Sequence, residues 1–381
     1  MPMIPADWPR PLALLVTLLR VDGDGAQAGV PPSLEHGQIM ARDMSLEDWD
    51  QFVELAVNQH RVASILAPQL ADLGAPEHVC TRVAAEVRGN VLATMIHIAE
   101  TGRIRRALDD IGIPVGVFKG WPLGEQLYGA ADRRHSGDLD LLVPEDRVRD
   151  SRVALEGLGY EVASGTAKAR RRLRGLDNPQ LISACKDIEM IRSTTGLAVE
   201  LHWRMLNYHG WPTFHDRPGA MVVQPTEVGD LLVPDAATNL MYLSTHGALH
   251  LWDRLKWLID IAWLARARGP EALARDMALA SQTGIGRPVL FALSLAHRLL
   301  GSPLPAGCGP DPEVLRLERW ILARLARQSP ALAGLRYQAG IRWMGLCLAR
   351  NWRQRLGVIG YDGLRRLRLL SLDLVGGGGK S

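Results

Sequence analysis

Apolar residues recur at helical spacing over most of the first hundred positions and again beyond Pro234, and a shorter strand-like pattern fills the stretch between them. Ser45 stands before Trp49, Phe52, Val53 and Ala56, with Asp48 at the reciprocal capping position, so a helix is predicted to start there. The run Pro11–Leu19 is read as a packed helix. A second helical pattern covers Glu77 to Leu108 and is closed by Gly112 and Pro114. Then the period changes. Val115–Phe118 reads as a strand, Pro122–Tyr128 as a short helix, Leu139–Val143 as a strand, and Glu145–Leu158 as a helix ended by Gly159. Ile188–Arg192 and Leu197–Trp203 flank Ser193–Gly196 as a hairpin. An amphipathic helical pattern returns over Ala236–Ala267, followed by a Pro/Gly-rich break at 301–312, further helices to Val375 and a frayed glycine tail at 376–379.

These elements predict an α+β (mixed α/β) protein with an N-terminal helical region at 1–108, a core with a small mixed sheet at 109–206, and a C-terminal helical domain at 207–381. A length of 381 residues agrees with several packed units, since single domains usually run to about 100–200 residues. No repeat of fixed period is present. Lys and Arg number 44 against 41 Asp and Glu, a near balance that gives no general attraction to nucleic acid or membrane. The four cysteines form no C-x-x-C pair, which argues against a zinc site or a disulfide framework. Pro11–Leu19 is too short to span a bilayer and lacks the flanks of a signal peptide, so the expected compartment is the cytoplasm.

The most informative segment is His135–Val143, where Asp138 and Asp140 stand two apart in an otherwise apolar run. On a strand, residues two apart face the same side. Adjacent carboxylates repel unless a cation bridges them, and their hard oxygens suit magnesium, with manganese as the alternative. The bland reading is a solvated strand edge. Its surroundings favour chemistry: Phe118, Lys119, Gly120 and Trp121 follow a strand and open a helix, where backbone N–H groups and a lysine can meet phosphate. Downstream, Glu200 and His202 share one face of a later strand, with Glu200 a candidate third carboxylate and base.

Lys119-Gly120, then Arg134 with Asp138, Leu139 and Asp140, then Glu200, Leu201, His202 and Trp203 resemble a family of uncharacterised bacterial nucleotidyltransferases within the DNA polymerase β-like superfamily. The likeness spans roughly residues 40 to 265. It implies a polymerase β-like core, two magnesium ions held by Asp138 and Asp140 with Glu200 completing the site, and an NTP donor whose phosphates lie near Lys119 and Gly120. The expected reaction moves an NMP group to an acceptor with release of pyrophosphate; the acceptor is a small molecule, a sugar or a peptide, and nucleic acid is not expected. The superfamily's usual glycine-serine pair stands here as Gly120-Trp121.

Arg134 is read either as a triphosphate contact or as the partner of a core carboxylate, and His202 either as a group that orients Glu200 or touches the substrate, or as a satisfied core histidine. Arg254 and Lys256, on a helix with His246, His250 and Trp257, are candidate phosphate contacts. His246 and His250 have zinc-ligand spacing but no third ligand in sight, so packing is preferred for them. The basic run Lys168, Arg170, Arg171, Arg172 and Arg174 is read as a solvated loop. Two other functions stay open: transfer of another group from an activated nucleotide, and a catalytically silent nucleotide-binding or partner-binding accessory protein.

Overall fold

Ser45 opens its helix as the sequence predicts, in a computed structural model that describes residues 4–21, 32–163, 182, 185–206, 215–309, 311–327 and 335–360. Its Oγ accepts the Asp48 N–H at 3.1 Å while Asp48 Oδ2 accepts the Ser45 N–H at 3.0 Å, so two otherwise orphaned donors are satisfied at the start of Leu46–Glu54. The helix runs on into a single wider turn, Leu55–Gln59. The long helix Glu77–Asp109 and the short helix Gly120–Tyr128 also fall where they are expected. The basic run at 168–174 and the glycine tail lie outside the described residues.

The chain divides into two units. One comprises Met1–Thr94, Leu123–His135 and Asn239–Leu348, and its described regular elements are helical. Helix Arg10–Leu18 buries every residue from Pro11 to Leu18, which explains why its sequence is apolar on all sides. Its end is tied down by Val21, whose N–H donates to Leu300 O at 2.8 Å and whose carbonyl accepts from Arg266 at 2.6 Å.

The pattern over Ala236–Ala267 is broken into two helices, Ala236–Leu249 and Leu255–Gln282. Leu251 and Trp252 between them both take left-handed backbone angles, φ 53° and 51°. Trp252 is 1% exposed and packs on Gly247, where a Cβ would stand 2.3 Å from the indole. A buried indole on a glycine thus sets the break, and hydrophobic periodicity alone does not register it. The second helix kinks at Gly269 and Pro270.

The other unit comprises Met95–Pro122, Ser136–Thr238 and Ala349–Ser381. It holds a seven-stranded mixed sheet: β1 Gly116–Val117, β2 Leu139–Leu142, β3 Tyr160–Val162, β4 Asp187–Arg192, β5 Ala198–His202, β6 Met221–Gln224 and β7 Leu231–Pro234, in the order β3-β4-β5-β2-β1-β7-β6. β2 pairs parallel with β5, and β1 parallel with β7; the other neighbours are antiparallel. The central strand β2 is buried along its length, which its apolar residues permit and Asp140 does not. The β4–β5 hairpin closes at Gly196, φ 70°, whose N–H donates to Arg192 O at 2.8 Å. β6 and β7 extend the sheet beyond residue 206. They escaped the sequence reading because Val222 and Val223 are both exposed, leaving no alternation to detect.

Candidate active site

Parallel pairing of β2 with β5 brings the carboxylates together: Asp140 is in register with Glu200, and Leu142 with His202. Paired residues project from the same face of a sheet, so Asp140, Glu200 and His202 converge although Asp140 and His202 are 62 residues apart in sequence. One ligand atom from each lies within 4.8 Å of the others. His202 Nε2 stands 3.0 Å from Glu200 Oε2 and 3.2 Å from Asp140 Oδ1. The imidazole is held edge-on to the Phe118 ring, with centroids 4.8 Å apart.

Asp140 is 3% exposed, and burial opposes its ionisation; the Lys119 charge and the His202 hydrogen bond outweigh that and hold the carboxyl well below the usual range. Lys119 Nζ reaches Asp140 Oδ1 at 2.8 Å. That reach depends on the backbone. Phe118 N–H donates to Asp140 O at the end of β1, and Lys119 and Gly120 then turn through left-handed angles, φ 64° and 56°, into helix Gly120–Tyr128. A non-glycine residue at such an angle is strained by roughly 1–2 kcal/mol, a cost that clusters at functional sites.

Asp138 occupies the bend just before β2, half-buried and outside the group of three. Its carbonyl accepts from Ser136 Oγ at 2.9 Å. The Trp121 side chain is buried and donates to Thr101 Oγ1 at 3.1 Å, so any phosphate contact made by this residue is through its backbone. Of the two readings of Arg134, the carboxylate pairing is found: Nε and Nη2 meet Asp260 at 3.0–3.2 Å, and Tyr128 OH donates to the same carboxylate at 2.7 Å. Arg254 immediately precedes helix Leu255–Gln282 without a side-chain capping bond, its guanidinium 5.8 Å from the Trp257 ring, and Lys256 Nζ donates to His135 O at 3.2 Å. His246 and His250 pack against each other and Trp257, and among the described residues they join no three-ligand group.

Three residues that the sequence reading did not single out belong to the site. Lys186 lies 3.4 Å from His202 Nδ1, and Asp187, ion-paired to Lys186, lies 3.9 Å from the same nitrogen. Their signal was the hairpin: extending its register sets Asp187 opposite His202. The third is Ser136, whose Oγ would lie 3.6 Å from a Cβ at Gly120. It brings a hydroxyl to the turn where the chain itself follows glycine with tryptophan.

The donor set fits a divalent cation. Two carboxylates supply hard oxygens suited to magnesium, while the imidazole is a better ligand for manganese or another transition ion. On its other side the imidazole faces the Lys186 ammonium, 3.4 Å from Nδ1, with the Asp187 carboxylate 3.9 Å away and beyond hydrogen-bond reach.

A mixed sheet flanked in sequence by helices, with carboxylate and imidazole donors on neighbouring parallel strands, defines a mixed α/β protein with a group of three side chains that could hold a metal ion. Residues 45–301 match the model of a family described as uncharacterised nucleotidyltransferases, and the chain belongs to that family. No curated protein and no solved structure matches it. Among the described residues no helix is long and apolar enough to cross a membrane.

Proposed function

We propose that the protein is a metal-dependent nucleotidyltransferase with a polymerase β-like core, moving an NMP group from an NTP to an acceptor hydroxyl with release of pyrophosphate. The observation that carries this reading is the convergence of Asp140, Glu200 and His202 on adjacent parallel strands in a member of a nucleotidyltransferase family. Asp140 and Glu200 hold the cation, magnesium or manganese, with Asp138 joining from the bend and with two ions at full occupancy. When bound, the metal supplies positive charge to the transferring phosphoryl group. Glu200, whose side chain is 31% exposed, accepts the acceptor's proton as its oxygen bonds to the α-phosphorus and the α–β anhydride bond breaks. Lys119 and the Gly120 turn bind the departing phosphates, with Ser136 supplying the hydroxyl. His202, backed by Asp187 and Lys186, orients Glu200.

Thermal unfolding with each of the four NTPs, in magnesium or manganese, tests this without knowledge of the acceptor. Metal-dependent stabilisation by one or more NTPs is expected in wild type and not in Asp138→Ala/Asp140→Ala. A binding-only reading draws on one observation, the ion pair of Asp140 with Lys119. It expects NTP stabilisation that needs no metal and yields no pyrophosphate with any acceptor class.

A further inference from the structure

The helix over residues 352–360 is apolar on its outer side. Asn351 starts it: its Oδ1 accepts the Gln354 N–H at 3.0 Å, and Gln354 Oε1 accepts the Arg350 N–H at 2.6 Å. Gln354 and Val358 are buried. A surface helix ordinarily turns charged and polar groups away from the core. Here Trp352, Leu356 and Ile359 are each 56–65% exposed. Their i, i+4, i+7 spacing sets them in one stripe, bordered on one side by Arg355 and on the other by Arg353, both exposed. The Arg353 guanidinium lies 5.5 Å from the Trp352 ring.

The stripe falls in an unevenly charged part of the chain. Residues 319–381 hold twelve of the 44 Lys and Arg but two of the 41 Asp and Glu, and no acid occurs between Glu318 and Asp362. The near balance of the whole chain therefore hides a basic end, an asymmetry that points to a polyanion or an anionic surface.

The aliphatic side chains decide between these. Nucleic acid is met by cations and by aromatic rings that stack on bases, which leaves Leu356 and Ile359 in water. A second copy laid stripe to stripe would bring arginine borders against arginine borders, which like-charge repulsion opposes. A bilayer with anionic headgroups suits every member: the aliphatic groups enter the acyl boundary, tryptophan sits at headgroup level, and arginines on either side reach lipid phosphates.

We infer that the stripe of Trp352, Leu356 and Ile359, bordered by Arg353 and Arg355, is a docking surface for an anionic lipid bilayer. The helix lies in the interface plane and does not cross it. Three apolar side chains with flanking cations give weak, reversible binding that depends on lipid charge. These five residues belong to the sheet-bearing unit, and the inference does not rest on the nucleotidyl-transfer reading.

The test is co-sedimentation of the full chain with vesicles of phosphatidylcholine, alone or mixed with phosphatidylglycerol, at low and high ionic strength. Wild type is expected to sediment with the mixed vesicles at low salt, to be released at high salt, and to ignore phosphatidylcholine alone. Trp352→Ser/Leu356→Ser/Ile359→Ser is expected to weaken binding about tenfold or more, because three apolar groups no longer leave water. Arg353→Gln/Arg355→Gln weakens it on the order of tenfold and reduces its salt dependence. All five side chains are exposed, so both variants are expected to keep the wild-type Tm; if the apolar variant unfolds early, the arginine variant carries the test. Failure of wild type to bind mixed vesicles, equal binding to neutral ones, or undiminished binding by the variants overturns the inference. So does a dimer or a single-stranded oligonucleotide complex that the apolar variant loses while wild type ignores vesicles, which hands the stripe to a second copy or to nucleic acid.

Discussion

Two buried aspartates, each facing a cation, behave as opposites. Asp260 is enclosed by Arg134 through three N–H contacts and by Tyr128, and both charged side chains are at most 4% exposed. Asp140 meets Lys119 and His202 at a single oxygen, and His202 is itself divided between two carboxylates. The first is a closed arrangement whose value is structural. The second leaves carboxylate lone pairs for a further cation, and its partners can be exchanged. Burial and pairing are therefore poor guides to role, and the distribution of contacts over the two oxygens is a better one.

The contrast can be broken most forcefully at its closed member. Asp260→Ala strands a buried guanidinium and is expected to cost about 3–5 kcal/mol in denaturant unfolding, whereas Arg134→Met/Asp260→Leu, which removes both charges, costs far less. If the double variant is as unstable as the single, the pair does more than neutralise itself. At the open member, Asp140→Asn is expected to lower pyrophosphate release by about 10²–10³-fold while leaving the fold assembled. His202→Gln weakens manganese binding by about 10–100-fold, the usual consequence of losing an orienting neighbour or a nitrogen donor, as read by calorimetry.

A pH scan sharpens the comparison from another side. Burial holds His60 neutral, down to about 3 in the folded protein from the ordinary 6.5. The unfolded chain therefore binds the extra proton first, and the stability due to the neutral ring is complete above about pH 6.5 and lost as pH falls toward 3. His60→Gln should flatten that acid limb by up to roughly 5 kcal/mol in urea titrations at successive pH values. The smallest effect is at the surface: Ser45→Ala removes the cap and costs about 1 kcal/mol with no change at Asp140.

Where local chemistry decides, the sequence was readable. The capping box at Ser45 and Asp48, the β4–β5 hairpin and the buried run around Asp140 each follow from residues a few positions apart. Glu200 and His202 were recognisable as a pair by their period of two. Their union with Asp140 needed a parallel pairing between distant strands, which no local pattern specifies. The same limit hid Lys186, Asp187 and the approach of Ser136 to Gly120. It also hid the choice at Arg134, whose partner Asp260 lies 126 residues away. The break after Leu249 was hidden for a different reason, since the indole of Trp252 seated on Gly247 is a packing event rather than a periodic one.

The left-handed backbone at Lys119 has a consequence for anyone who would harden this protein. A search for heat-tolerant variants would favour glycine there, because it relieves the backbone at once. The same exchange would withdraw a cation from Asp140 and leave a buried carboxylate without its ammonium, so tolerance to heat and the charge balance of the site pull this one position in opposite directions.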